Sequence, residues 1–196
     1  MKYGTAATPT GGRPSAAGRP YLDHLPEGIL NAAPWGNITP ILRPLDEIVL
    51  ASWIKRDTLD NIRATGEFVV NVPTAGMSRE VMVCARNYPP EIDEFAEAHL
   101  IPRPSKTVRP PGIEGCIAWM ECSLVEEICR DRYMLVIGKV KRLEGNDLYF
   151  NAAGEMDPAA RPLCMICGNT EMQFAYPAPT GHSAAYAEMF LKKDRI

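Results

Sequence analysis

The sequence predicts a mainly β fold: one mostly antiparallel barrel decorated by short helices. Three observations carry this. Runs with apolar–polar alternation recur along the 196 residues, which is the period of a strand. The two longest, residues 115–128 and 133–143, are separated only by Arg130-Asp131-Arg132 and read as a hairpin. The helical stretches are short and do not alternate with strands as βαβα, so a doubly wound sheet is disfavoured.

Length and composition bound the rest. The chain is long enough for one domain with a proper core. A formal net charge of −3 gives no electrostatic support to a general nucleic-acid or membrane role. No apolar run approaches the length of a membrane span, and no apolar signal core follows Met1-Lys2. A cytoplasmic protein is expected, and its six cysteines are read mostly as reduced thiols.

Residues 1–20 are rich in Gly, Ala, Pro, Thr and Ser. They are expected to bury little apolar surface and form a mobile segment ahead of a single domain at 21–196. His24 sits in a loop pattern and joins no ligand set. Ile29 and Leu30 begin an apolar strand that runs into Asn31-Ala32-Ala33-Pro34-Trp35-Gly36. Small residues there let a flat ligand approach the backbone, and proline frees neighbouring amides; a bent strand with a core tryptophan is the competing reading. Residues 46–53 form a strand with Ile48, Leu50 and Ser52 on one face.

Residues 52–73 organise the chain: strand end, basic turn, short helix, glycine stop, strand. Lys55 and Arg56 precede the helix, and Asp57 or Thr58 is expected to cap it. Leu59 and Ile62 share a face, and Gly66 ends the helix. A helix start carries unpaired amides and partial positive charge. Two cations and a hydroxyl beside it make a seat for a phosphate. Asn61, one turn on, adds an amide. An ordinary capped helix with a solvated basic turn is the plainer alternative.

Two short helices are expected next, at 78–86 and 91–99, with Glu91, Asp93, Glu94 and Glu97 on a solvated face. His99 joins no ligand set. Residues 103–112 are an extended, proline-rich connection. Gly138, inside the second hairpin strand, marks a bulge or a bend at a barrel corner. Residues 161–168 form a last apolar strand, and 183–193 are helix-prone. Cys164 and Cys167 are three apart in that strand and face opposite sides, so they read first as structural thiols, one of which could face a bound cofactor; a thiol-based role is the weaker alternative, and no metal site is expected. No Ser-His-Asp or Cys-His set and no G-x-G-x-x-G or P-loop is present. An anion seat without a catalytic set of its own points to a phosphorylated cofactor that does the chemistry; no catalytic residue is assigned.

Residues 28–168 resemble the flavin reductase-like proteins, including the flavoredoxins, of the FMN-binding split-barrel superfamily. The resemblance is carried by NAAPWGNITPI, SWIKRDTLDNI, TGEFVVNVP, EGCIAWMECSLVEEI and YMLVIGKV. It implies a six-stranded split barrel working as a homodimer, with FMN near the interface and partner residues completing the site. It also implies a cofactor-binding set of Asn31, Ala32, Ala33, Pro34, Trp35, Gly36, Ser52, Trp53, Ile54, Lys55, Arg56, Thr58 and Asn61. In this set residues 33–36 lie along the ring, Ser52 and Trp53 flank it, and Lys55, Arg56, Thr58 and Asn61 hold the phosphate and ribityl chain. The reaction class is hydride or electron transfer through the flavin, with NAD(P)H as a common donor. The alternative is a split-barrel module without turnover: a flavin carrier serving a redox partner protein, or a binder that has lost its cofactor. Family members begin with an apolar strand where this chain has its Pro/Gly-rich segment, so the first strand is expected to be atypical.

Overall fold

The structure, a computed structural model, describes residues 4–10, 28–41, 45–167 and 170–182. One antiparallel sheet dominates it. Along the chain its strands are β1 (Gly4–Thr10), β2 (Ile29–Trp35), β3 (Thr39–Pro40), β4 (Glu47–Trp53), β5 (Glu67–Val72), β8 (Ala118–Cys129) and β9 (Tyr133–Gly145). Their order across the sheet is β2-β1-β5-β8-β9-β4-β3. Six are long and β3 has two residues.

The connection from β2 to β3 decides the shape. These strands lie at opposite edges of the sheet, yet the chain passes from Trp35 to Thr39 in four steps, at most about 14 Å of extended backbone. A flat sheet of seven strands would separate its edges by about 29 Å. The sheet must therefore curl until its edges nearly meet, which makes a barrel with a split. Asn37 stands in the split. Its side-chain amide donates to Ala51 O at 2.9 Å and its Oδ1 accepts from Ala51 N at 3.3 Å, copying the exchange of a strand residue. Asn37→Ala is expected to cost about 1 kcal/mol and to speed amide exchange at Ala51, measured by urea melts and hydrogen exchange.

The expectation of a mobile segment at 1–20 is corrected for residues 4–10. β1 is inserted between β2 and β5, with Ala6 opposite both Ala33 and Val70. Thr5, Thr8 and Thr10 are β-branched and suit a pleated backbone. Pro9 lies beyond the residues paired with β5, so its missing N–H breaks no bond of that ladder. The boundary expected at residue 21, and His24, lie outside the described residues, as do the helix expected at 183–193 and part of that expected domain.

Two clusters form the core. Inside the barrel, Ile48, Leu50, Phe68, Val70, Met120, Cys122 and Val136 pack with Leu59 and Ile62 of α1 (Asp57–Thr65). The α1 face expected from sequence is thus the buried one, with both residues fully covered. Gly66 ends the helix at φ 69°, and its N–H donates to Ile62 O at 2.8 Å. Outside the barrel, Leu30, Ala32, Val69 and Trp119 are covered by α2 (Ser78–Cys84), α3 (Glu94–Glu97) and the segment 100–117. This second layer is why β5 is buried on both faces.

The segment 100–117 contains β6 (Pro102–Arg103) and β7 (Gly112–Ile113), which pair with each other. Three buried polar residues strap it down. Asn71 Oδ1 accepts from Ile113 N, Trp119 Nε1 donates to Ile113 O, and Glu121 accepts from the amides of Lys106 and Thr107. Gly138 has the role its position suggested. The β8–β9 register shifts between Leu124 and Glu126, directly beside it.

Residues 161–168 are corrected. The expected strand is present over a shorter range, as β10 (Cys164–Cys167), and what changes is its place: it pairs with β11 (Met172–Ala175) in a separate hairpin and not with the main sheet. Leu163 N, bonded to Pro73 O, and Ala75 N, bonded to Arg161 O, tie its base to the end of β5. No helix among the described residues is long and apolar enough to cross a membrane.

Candidate functional site

A cleft of about 260 Å³ opens where β2, the split, the end of β4 and the start of α1 meet. Ala33, Pro34, Trp35 and Gly36 form one wall; Ser52 and Trp53 form another; Arg56 and Thr58 stand at the helix end. The cleft thus gathers eight residues of the expected set. Asn31, Ala32, Ile54, Lys55 and Asn61 do not line it.

The reasons are local. Side chains alternate along β2. Asn31 is buried beneath α1, where its Oδ1 accepts the Thr58 hydroxyl at 2.7 Å. Ala32 packs in the outer core cluster. Lys55 is exposed. Asn61 keeps a buried Nδ2 without a partner, and so does the Trp35 indole N–H.

The helix start differs from the sequence expectation. Neither Asp57 nor Thr58 caps α1: the N-cap is Arg56, and no side chain caps the helix. The Thr58 hydroxyl proton is committed to Asn31. Arg56 is exposed and donates to Asn87 Oδ1 at 3.1 Å. Among the described residues, no side chain claims the first amides of α1, and Arg56 is the only charged residue lining the cleft beside them. A helix start in this state favours an anion.

The sequence reading missed the rest of the lining. Asn37 and Ala51 lie beside expected residues, Cys84 and Ala85 come from the end of α2, and Met165 and Met172 from the β10–β11 hairpin. No short-range pattern links these elements to β2. Burial pushes the Cys84 thiol up to about 12, with Glu94 adding to the effect, so it is a neutral wall. Among the described residues no three His, Cys, Asp or Glu side chains form a group able to hold a metal ion.

Glu94 is the second correction at this site. The solvated acidic face holds for Glu91 and Glu97, but Glu94 is only 7% exposed. Its Oε2 accepts from Ala32 N at 2.5 Å, while Asp93 Oδ2 accepts from Leu30 N at 3.3 Å. β2 is a sheet edge, and its outward amides need acceptors once they are buried.

The family model for the flavin reductase like domain matches residues 44–158. The chain belongs to this family. An uncharacterized protein of Methanothermobacter thermautotrophicus is 43% identical over 171 residues, covering 84% of this chain and 80% of that protein. Two solved structures share the fold. Flavoredoxin of Desulfovibrio vulgaris (Miyazaki F) has a TM-score of 0.75 at 15% identity, over 95% of this chain and 92% of its own. The FMN-binding domain of a flavin reductases-like enzyme from Shewanella baltica has a TM-score of 0.73 at 18% identity, over 93% and 89%. The split barrel of this flavin reductase-like chain is thus the fold of flavin-binding oxidoreductases.

Proposed function

We propose that this chain binds FMN in the cleft and works as a flavin-dependent oxidoreductase, with NAD(P)H as electron donor. The observation that carries the reading is the uncapped start of α1 opening, beside Arg56, onto a cleft walled by Ala33, Pro34 and Gly36. The fit is chemical. One end of the cleft offers backbone amides and one guanidinium, suited to a single phosphate. The rest mixes small and apolar residues such as Ala33, Pro34 and Met165 with the polar Asn37 and Ser52, suited to a ring with polar edges. Of the expected phosphate ligands, Arg56 is placed to hold the anion; Thr58 instead ties α1 to β2, and Lys55 adds charge from solvent. Trp35, which lines the cleft, keeps an indole N–H that a bound ring edge can claim.

A bound flavin supplies the hydride or electron transfer. The protein's part is to orient the ring and keep water from one face of it. Among the described residues that line the cleft there is no carboxylate, histidine or lysine.

We further propose a cytoplasmic homodimer in which a second copy covers the cleft rim. Trp53 is 61% exposed there, and its cross-strand partner Tyr133 is exposed beside it. Purified protein titrated with FMN is expected to show a perturbed flavin spectrum at one equivalent per chain, and then to oxidise NAD(P)H. A chain that leaves the spectrum of FMN unchanged would refute the reading. Binding without NAD(P)H oxidation would select the electron-carrier alternative, in which a redox partner protein reduces the flavin.

A further inference from the structure

We infer that Glu94 positions the ring-side wall of the cleft and couples flavin binding to the uptake of a proton, an inference that rests on the proposed phosphate seat at Arg56. Glu94 is buried one residue behind that wall. Its carboxyl receives the Ala32 N–H, and Ala33 begins the lining. Among the described residues no strand pairs with the outer edge of β2; this contact and the Asp93–Leu30 bond supply acceptors there. Losing the contact would free the backbone on which residues 33–36 depend.

The charges around Glu94 make it respond to the cleft. Asp57 at the start of α1 and Asp93 ahead of α3 oppose its ionisation, Arg56 and the Ala32 N–H favour it, and the Cys84 thiol on α2 is neutral. Burial is the largest effect and pushes the carboxyl up to about 7. Near neutrality the site therefore holds a fraction of a proton. An anion settling on Arg56 neutralises the one favourable cation and adds negative charge. Both changes draw in a proton, so affinity falls as pH rises through this range. The phosphate's own second ionisation, near pH 6, acts the opposite way and is complete at higher pH.

The same shift has a consequence for stability. The folded-state value lies above the ordinary carboxylate value, so the contribution of Glu94 is whole below the ordinary value. It is lost as pH rises through about 7.

The test is FMN titration by fluorescence quenching from pH 7 to 9 on the full chain, its Glu94→Gln and its Glu94→Ala variants, each checked by thermal melt. The parent's Kd is expected to rise about two- to fivefold across this range, the part of a half- to one-unit coupling that falls above pH 7. Glu94→Gln keeps an acceptor for Ala32 and is expected to bind FMN with a flat profile. Glu94→Ala loses the anchor and is expected to bind more weakly at every pH. A parent profile that is flat, or a Glu94→Gln profile that still slopes, overturns the inference. Absence of FMN binding in the parent at every pH would instead refute the phosphate seat on which it rests.

Discussion

Gly138→Val is expected to destabilise the protein by about 3 kcal/mol or more, lowering the melting temperature by about 6–12 °C for a domain of this size. The cause is a close approach inside the barrel. A Cβ at Gly138 would lie 2.5 Å from Phe68 Cζ and 3.1 Å from Cε1, with Ile48 Cγ1 at 3.6 Å. Phe68 is fully buried among the inner core residues and cannot swing into solvent. The backbone cannot easily yield either, because β9 is paired on both sides here, with Ile48 of β4 and Leu124 of β8. A double-mutant cycle isolates the contact. Phe68→Leu alone is destabilising, since it leaves a void. In the Gly138→Val background it is expected to recover part of the loss. Urea melts of the four proteins measure this. Additive losses would mean that the valine is accommodated somewhere other than against Phe68.

The strands and the helix that carry the site were legible because each announces itself within a few residues. Alternation in 46–53 gave β4 and its buried face, Ile48, Leu50 and Ser52. The Leu59–Ile62 spacing and Gly66 gave α1. What failed depended on partners far along the chain. β1 has no apolar alternation; it is a strand because β2 and β5 lie on either side of it. Glu94 belongs to a run of charges that reads as solvated, and only the bare edge of β2, 62 residues away in sequence, makes it a buried acceptor. Thr58 shows the same limit: its type suits a cap, but Asn31, 27 residues earlier, takes the hydroxyl. Met165 and Met172 reach the cleft through a hairpin whose existence rests on β11, a four-residue strand too short to stand out. The lining of the cleft was therefore readable at its Arg56 end and hidden at its far wall.

Arg56→Glu is expected to weaken FMN binding about 100-fold or more, a loss of about 3 kcal/mol, in keeping with hydrogen bonds made to a charged group plus the repulsion that replaces them. Among the described residues Arg56 is the only charged side chain lining the cleft, and none caps the helix start it occupies; reversing its charge opposes an anion there without touching the core. Since Arg56 is exposed, the variant's melting temperature is expected to stay within about 2 °C of the parent's. Riboflavin gives the decisive comparison, because it has the same ring and ribityl chain but no phosphate. Its affinity is expected to be weak in the parent and nearly unchanged in Arg56→Glu. Thr58→Val separates the two roles that the helix start combines. It removes the bond to Asn31 and leaves the charge, so it is expected to cost about 1 kcal/mol of stability and to weaken FMN and riboflavin alike, through the misplaced β2 wall. Fluorescence titrations with both flavins check all of this. Equal losses of FMN and riboflavin in Arg56→Glu would mean that the guanidinium shapes the cleft and does not hold the phosphate. An unchanged FMN affinity would place the anion elsewhere on the molecule.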